Sequence, residues 1–363
     1  MFFCSRFKRG VPDDRKIWSA TAIINEKYHD ILKDVHNSFL DAGSMAVTTN
    51  SYGIIPGVGF NLKQIEQYVT LSGKIARDCV DTHNDKNKTK KLVFGSLGPL
   101  LESYRPDKLL PYKQGVQIYQ TMIHSLHPYV DCFLAETMSC LEESSQVLEA
   151  CAKQNYKNKP LLVSYTLRSD GKLRNGESVA TCIDQLFTLS SQQNVQCMYR
   201  TIYTTLFNMI LFLILYSTYA KILSFRSIVS FPFGFVCFLF VQNKLVLAIL
   251  FNCAEPEAIT LALDEVYSNK SIIHNKDCLS GRPKFLLGAY ANRLTPIASD
   301  WSMEKSESAQ PMRTDLSPQN YWEDHVSTWI QKYNLQIIGG CCGITPQHIS
   351  FIKNHHHQIM NEK

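Results

Sequence analysis

Short apolar segments alternate with longer amphipathic segments along most of the chain. The apolar segments are rich in branched and aromatic side chains and have the character of buried strands. The segments between them carry apolar residues at helical spacing; in residues 25–43, Leu32, Val35 and Phe39 share one face, and Gly43 follows as a helix stop. The predicted strands cover residues 45–50, 91–96, 130–136, 160–166, 245–253, 284–290 and 335–342.

This alternation of strands and helices predicts an α/β fold with parallel strands joined by helical crossovers. Seven predicted strands in a chain of 363 residues favour a (β/α)8 TIM barrel over a doubly wound sheet. A chain of this length is able to bury the core that such a barrel needs.

Composition narrows the range of partners and compartments. The net charge is only +5, and no basic run is interleaved with aromatic residues, so a nucleic-acid partner is not expected. The chain has 12 cysteines, but no signal peptide opens it, which favours a reducing, cytoplasmic location. In that compartment, clustered cysteines more often bind metal or take part in chemistry than form bridges.

Three cysteines are placed where barrel enzymes carry their chemistry. Cys253, Cys341 and Cys342 lie at or just past the carboxyl ends of two predicted strands. Three thiolates that leave a fourth position open describe a Zn²⁺ site able to bind a substrate, although an adjacent pair is also compatible with core packing. Gly339 and Gly340 would let the backbone approach this site closely. Single cysteines elsewhere are predicted to be small buried side chains: Cys79, Cys132, Cys140, Cys151, Cys182 and Cys278.

Other strand ends offer polar groups for a substrate. Gly95 and Ser96 are candidates to donate backbone and hydroxyl hydrogen bonds to a carboxylate, although Gly-Ser-x-Gly-Pro is also an ordinary turn sequence. Thr49, Asn50 and Tyr52 are similar candidates after the first predicted strand. All five are predicted to bind substrate.

A set of motifs resembles the homocysteine S-methyltransferase family. The motifs are "DAGSMAVTTNSY", "FGSLGPLL", "LAETMS", "SYTLRSDGKLRNGES", "FNCAEPEAI" and "GGCCGITPQHI", across residues 17–196 and 243–352. The resemblance implies a zinc-dependent barrel in which the metal-bound thiolate of homocysteine attacks a methyl group on a sulfonium or ammonium donor. It also implies that Cys253, Cys341 and Cys342 bind the zinc. Glu136 matches a position that binds the substrate ammonium in the family.

The chain departs from the family pattern in two places. Members usually open with a strand ending in an Asp-Gly-Gly-x-Gly-Thr motif, but residues 1–16 do not match it, so the first barrel strand is expected to be altered or missing. The second departure is an apolar insertion, residues 197–242, before the sixth strand. The predicted domain is therefore a barrel over residues 17–354, interrupted by this insertion and followed by a solvated tail, 355–363.

The insertion has two competing explanations. Residues 201–220 form an uncharged apolar run long enough for a transmembrane helix, so a membrane is an expected partner only if this segment is expressed. The preferred hypothesis is a translated intron, because "CMY" is compatible with a donor site and the Phe-rich "FPFGFVCFLFVQ" with a T-rich acceptor tract. Sequencing transcripts across the junction distinguishes the two, and recovery of only the long form at the protein level would exclude the intron.

The functional hypothesis is methyl transfer from S-methylmethionine or S-adenosylmethionine to the homocysteine thiol, giving methionine. The sulfonium donors are favoured over betaine on family resemblance alone. Two alternatives stay open: a catalytically impaired barrel of the same family, associated with a membrane in one version, and a methyltransferase that acts on another thiol or a selenol. Residues 296–320 are expected to form a long loop over the mouth of the barrel that shapes the donor site.

Overall fold

A computed structural model describes residues 9–12, 17, 20–153, 159–192, 245–269, 272, 285–298, 301 and 311–361. The strands are β1 (Ala46–Thr48), β2 (Leu92–Leu97), β3 (Cys132–Met138), β4 (Leu161–Tyr165), β5 (Val246–Asn252), β6 (Leu286–Tyr290) and β7 (Ile337–Ile338). The main helices are α1 (His29–Asp41), α2 (Leu62–Asn87), α3 (Tyr112–Leu126), α4 (Leu141–Lys153), α5 (Val179–Gln192), α6 (Pro256–Ser268), α7 (Ser327–Tyr333) and α8 (Pro346–Asn361). A π-helical segment, Tyr321–Val326, leads into α7.

The seven strands pair in parallel and in chain order, from β1 to β7. Each step along the sheet requires a crossover, and helices α2 to α7 supply the crossovers in turn. The result is a curled parallel sheet, a half-barrel of the TIM-like type. Each of the seven predicted strands is confirmed. Within the described residues no eighth strand joins β1 to β7. The sheet therefore has seven strands where a barrel of eight was predicted.

Helix α1 shows why an apolar stripe forms a helix and where that helix ends. Leu32, Val35 and Phe39 are at most 1% exposed, so the stripe faces the core as predicted. After the helix, Gly43 adopts φ +105°, and its N–H donates to the Leu40 carbonyl at 3.1 Å. This left-handed conformation favours glycine, and a Cβ at this position would also collide with the Lys353 side chain.

The centre of the sheet is covered on both faces. Every residue of β2, β4 and β5 is buried, which explains their nearly continuous apolar sequences. Five of the single cysteines are buried in the surrounding core, as predicted: Cys79, Cys132, Cys140, Cys151 and Cys182. The sixth, Cys278, lies outside the described residues.

The two segments that depart from the family pattern lie largely outside the described residues. The insertion 197–242 lies outside the described residues, as does most of the atypical segment 1–16. The predicted solvated tail, 355–363, is instead helical as far as the end of α8 at Asn361, and within it the His355 ring stacks on Phe351 with 3.9 Å between ring centroids. Among the described helices, none is both long and apolar enough to cross a bilayer.

Candidate metal centre and substrate site

Cys253 directly follows β5, at the carboxyl edge of the sheet. Its backbone adopts φ +48°, a left-handed conformation that is uncommon for a residue with a side chain. Thr166, just beyond β4, donates its hydroxyl to the Cys253 carbonyl at 3.2 Å. A neighbouring strand therefore holds the backbone of Cys253 in this conformation.

The Gly-Gly-Cys-Cys segment brings two further sulfurs to the same edge. Beyond β7, the parallel pairing with the β6 side continues, because Gly339 N–H donates to the Ala289 carbonyl at 3.0 Å and Cys341 N–H to the Ala291 carbonyl at 2.8 Å. A Cβ on Gly340 would collide with Ile344. Because Gly340 has no Cβ, the Ile344 side chain fits against it, and the chain can turn into α8 soon after the cysteine pair.

The three cysteine sulfurs converge at one point. All three lie within 4.8 Å of one another, and Cys342 Sγ is 3.9 Å from Cys341 Sγ. Cys253 and Cys341, whose Cα atoms are 5.8 Å apart, are assigned as a disulfide. Both are buried, whereas Cys342 is half-exposed. The prediction that the three cysteines meet at one rim agrees with this geometry.

These sulfurs fit a tetrahedral metal. With Zn–S bonds of about 2.3 Å, tetrahedral ligands lie roughly 3.8 Å apart, close to the separation of Cys341 and Cys342. Thiolates are ligands that zinc prefers, and the cluster has three where a closed structural site has four. All three sulfurs are available to a metal only when Cys253 and Cys341 are reduced.

Strained backbone is concentrated around this cluster. Tyr104 and Thr137 have φ values of +66° and +64°, and with Cys253 they are three of the five non-glycine residues with positive φ in the described part of the chain. Tyr104 packs against Cys253 and Cys341, and Thr137 directly follows Glu136. Strain of this kind persists only where the surrounding structure holds it, and it is common at functional sites.

Asn252 connects the strands that carry these strained residues. Its Oδ1 accepts hydrogen bonds from Thr137 N–H at 3.0 Å and from Ser164 Oγ at 2.7 Å, and its Nδ2 donates to Thr137 Oγ1 at 2.8 Å. Asn252 is fully buried. It therefore ties β5, which ends at Cys253, to β3, which carries Glu136. The sequence motif drew attention to Asn252 only as the neighbour of Cys253.

Replacing Asn252 with leucine is expected to lower the free energy of unfolding by about 3 kcal/mol, because it leaves buried donors on Thr137 and Ser164 without an acceptor. Urea unfolding measures this change. A Ser164→Ala variant removes only one partner and is expected to cost about 1 kcal/mol. Equal stability of the Asn252 variant and the parent chain would show that the network does not hold the strands together.

Glu136 lies in β3 and is half-buried, and it is linked to the sulfur cluster through Tyr290, which packs against that cluster. It accepts hydrogen bonds from Ser96 Oγ, on β2, and from the Tyr290 hydroxyl at 3.3 Å, on β6. Burial raises the pKa of Glu136, and its hydrogen bonds with Ser96 and Tyr290 oppose that rise. No lysine or arginine of the described chain forms a salt bridge with Glu136. This carboxylate is thus suited to receive a cation from a ligand.

The other predicted substrate residues divide between the site and its supports. Thr49 Oγ1 accepts from Ser96 N–H at 2.9 Å, so it joins the end of β1 to β2, and Asn50 is buried beside it. The Tyr52 hydroxyl lies 2.7 Å from Ser103 Oγ. At Gly95 a Cβ would lie 3.1 Å from Val130 Cγ1, so this position faces the side chains of the surrounding core, and the predicted role of its backbone N–H stays a prediction. Ser96, one residue later, points to Glu136.

A cleft opens beside Cys253. Its walls include Tyr104, Arg174, Glu255 and Ile297. Tyr104 also contacts Trp301, with 5.3 Å between ring centroids in an edge-to-face arrangement. Ile297 and Trp301 belong to the segment that was predicted to form a loop over the mouth. Arg174 was not identified from the sequence, because "SDGKLRNGES" has the composition of an exposed turn.

The fold and the site together define a class: an α/β half-barrel with a cluster of three cysteine sulfurs at the carboxyl ends of its strands. The family model for homocysteine S-methyltransferases matches residues 7–208 and 233–355. The chain therefore belongs to the homocysteine S-methyltransferase family, a family of methyltransferase enzymes. The residues between the two matched parts lie within the predicted insertion.

Solved structures with the same fold include the homocysteine methyltransferase MmuM from Escherichia coli. Its metallated form superposes with a TM-score of 0.64 at 18% identity, covering 97% of this chain and 93% of that chain. Its oxidized form gives a TM-score of 0.62 at 18% identity, covering 96% and 91%. Its apo form gives a TM-score of 0.59 at 17% identity, covering 98% of this chain and 93% of that chain. A search of curated protein sequences finds no significant match.

Proposed function

We propose that this enzyme transfers a methyl group from a sulfonium donor, S-methylmethionine or S-adenosylmethionine, to the thiol of homocysteine, giving methionine. The observation that carries the proposal is the convergence of three cysteine sulfurs at the carboxyl edge of the sheet, within 4.8 Å of one another. Membership of the family gives the reaction class, and the similar MmuM from Escherichia coli is a homocysteine methyltransferase that has been solved in a metallated form.

Cys253, Cys341 and Cys342 would hold the metal, which we propose to be Zn²⁺. When bound, zinc supplies Lewis acidity that lowers the pKa of a substrate thiol so that it is a thiolate near neutral pH. Retention of three reduced cysteines requires a reducing compartment, in accord with a cytoplasmic location.

The reaction exchanges one carbon–sulfur bond for another. The bond between the methyl carbon and the donor sulfur breaks, its electron pair stays on the donor, and the donor leaves as a neutral thioether. A new bond forms between that methyl carbon and the homocysteine sulfur, whose proton has passed to solvent. Since no proton moves in the transfer step, the enzyme needs no general base and acts mainly by positioning.

Glu136 supplies the positioning of homocysteine in this proposal. Its carboxylate lacks a cationic partner among the described residues and lies between Ser96 and Tyr290, so the α-ammonium of homocysteine would complete its interactions. The hydrogen bonds from Ser96 and Tyr290 fix the orientation of the carboxylate. The thiol end of the same molecule would then point toward the sulfur cluster.

Side chains around the cluster would limit water at the reacting atoms. Tyr104, Ile297 and Trp301 form an apolar group against Cys253 and Cys341. An attacking thiolate is more reactive when it loses its hydration shell to such surroundings.

The test is methionine formation by the purified full-length chain, reduced and supplied with zinc. Homocysteine is offered with S-methylmethionine, S-adenosylmethionine or betaine in separate reactions. We expect zinc-dependent methionine from at least one sulfonium donor, and less from betaine. A chain that binds zinc and homocysteine but forms no methionine with any donor would instead match the impaired-barrel alternative.

A further inference from the structure

The cleft beside Cys253 is a different part of the site from the Glu136 carboxylate, because the described residues that line it do not include Glu136 or its partners Ser96 and Tyr290. It is built from loops that follow four different strands, including Tyr104 after β2, Arg174 after β4 and Ile297 after β6. Because Cys253 itself lines the cleft, a ligand here reaches the sulfur cluster. If homocysteine uses the Glu136 side, this cleft provides an approach for the second substrate.

Arg174 places a positive charge in the wall of this cleft. Its guanidinium donates from Nη1 to the Ile297 carbonyl at 3.3 Å and from Nη2 to the Ala298 carbonyl at 2.9 Å. It also lies 5.6 Å from the centre of the Tyr104 ring. These contacts fix the guanidinium in one place while leaving three of its five donor hydrogens for other partners.

The charge of Arg174 has no counterion in the described part of the chain, where no carboxylate lies within salt-bridge distance of it. Burial lowers the pKa of Arg174, although an arginine remains charged at neutral pH. A half-buried cation that lacks an anionic neighbour is costly in a folded protein unless a ligand supplies the anion. The planar guanidinium is the side chain best matched to a carboxylate.

A second charge of opposite sign lies in the same cleft. Glu255, between Cys253 and the start of α6, contributes to its wall. Glu255 forms no salt bridge within the described residues. The cleft therefore presents a cation and an anion beside the sulfur cluster, the pattern that complements the carboxylate and ammonium of an α-amino acid.

We propose that this cleft binds the methyl donor as an α-amino-acid sulfonium, with Arg174 on the donor carboxylate and Glu255 on the donor ammonium. This inference rests on the proposed function, because the sulfonium methyl must face the homocysteine sulfur. The Tyr104 ring, held between Arg174 and Trp301, walls the space through which the methyl group approaches. Arg174 and Glu255 thereby select donors that carry an amino-acid group.

The test is calorimetric titration of the zinc-loaded, reduced full-length chain with S-methylmethionine. Arg174→Gln is expected to weaken donor binding by about 10- to 100-fold, the effect of losing a charge-assisted pair. Homocysteine affinity is expected to change by less than about 2-fold, since that substrate uses the Glu136 side. The matched control is Arg168→Gln, in the same turn, where Arg168 is half-exposed and already pairs with Asp170 at 3.2 Å.

Donors that lack one or both charged groups of an amino acid distinguish a role of Arg174 in donor binding from a role in supporting the loop. Trimethylsulfonium has neither a carboxylate nor an ammonium, so Arg174→Gln should lower its turnover far less than that of S-methylmethionine, and Arg174→Lys should restore part of the S-methylmethionine affinity. Betaine has a carboxylate, and its one cationic nitrogen is the quaternary ammonium that carries the transferable methyl groups. It has no separate primary ammonium for Glu255, so Glu255→Gln should weaken the binding of S-methylmethionine and spare that of betaine. The proposal would be overturned if Arg174→Gln lowered homocysteine binding, trimethylsulfonium turnover and S-methylmethionine binding by the same factor. It would also be overturned if the variant left donor affinity unchanged.

The outcome is distinguishable from failure of the proposed function. If the parent chain binds S-methylmethionine through Arg174 but forms no methionine, the donor site stands and the methyltransferase proposal fails. If the parent chain makes methionine and Arg174→Gln leaves donor affinity and KM unchanged, the methyltransferase proposal stands and the donor site is wrong. Failure of the parent chain to bind S-methylmethionine also overturns the donor site.

Discussion

Replacing Cys342 with serine is expected to reduce bound zinc from about one ion per chain to about one tenth of that, and methionine formation by about 1,000-fold or more. A serine hydroxyl is not deprotonated near neutral pH and is a poor zinc ligand, so two thiolates would remain. Cys342 is the most informative of the three cysteines because it is half-exposed and outside the assigned disulfide. Its replacement should therefore disturb folding least.

Zinc content by elemental analysis and methionine formation are measured on the same reduced preparation. The matched control is Cys79→Ser in α2, because burial raises the pKa of the Cys79 thiol to about 11 and keeps it neutral. That variant should retain both zinc and activity even if it is somewhat less stable. Full zinc occupancy in Cys342→Ser would mean that this residue is not a ligand.

Replacing Glu136 with glutamine is expected to lower kcat/KM for homocysteine by about 100-fold while leaving zinc content unchanged. Glutamine has nearly the same shape and its carbonyl oxygen can still accept a hydrogen bond from Ser96, so the main loss is the negative charge. Without that charge the α-ammonium of homocysteine has no counterion at this position. The loss should appear mainly in KM if the ammonium contact is equally strong in the ground state and the transition state.

A substrate without the amine provides the control for Glu136. With 4-mercaptobutyrate, which keeps the thiol and the carboxylate of homocysteine, the parent chain and Glu136→Gln should react at similar rates. The variant would then have lost only its preference for the ammonium. If the variant reacts with 4-mercaptobutyrate and with homocysteine more slowly by the same factor, Glu136 maintains the structure of the site and does not bind the ammonium.

The strands and the cysteine cluster were accessible from sequence for physical reasons. Strands buried on both faces, such as β4 and β5, need continuous apolar runs, and these are visible without any tertiary information. Parallel strands place their carboxyl ends along one edge, so Cys253 and the Cys341–Cys342 pair were predicted to meet although they are far apart in the chain. The Gly-Gly pair before them marked a close approach of backbone that the structure explains through Ile344.

The supporting network and the cleft could not be predicted in the same way. Asn252 binds residues 115 and 88 positions away in the chain, and a polar residue in an apolar strand does not indicate which neighbours it meets. Adjacent strand residues face opposite sides of the sheet, so of the predicted pair Gly95 and Ser96 only Ser96 has a side chain that reaches Glu136, and the backbone role predicted for Gly95 stays a prediction. Arg174 lies in a polar turn whose composition is the same whether the side chain is solvated or faces a ligand.

The proposed methyl transfer depends on a metal bound by the three cysteines. The direct measurement is activity against zinc occupancy in one reduced preparation of the full chain, first depleted with a chelator and then titrated with Zn²⁺. We predict that methionine formation is absent in the depleted protein and rises in proportion to bound zinc up to about one ion per chain. Methionine formation that is undiminished in the zinc-depleted protein would contradict the account.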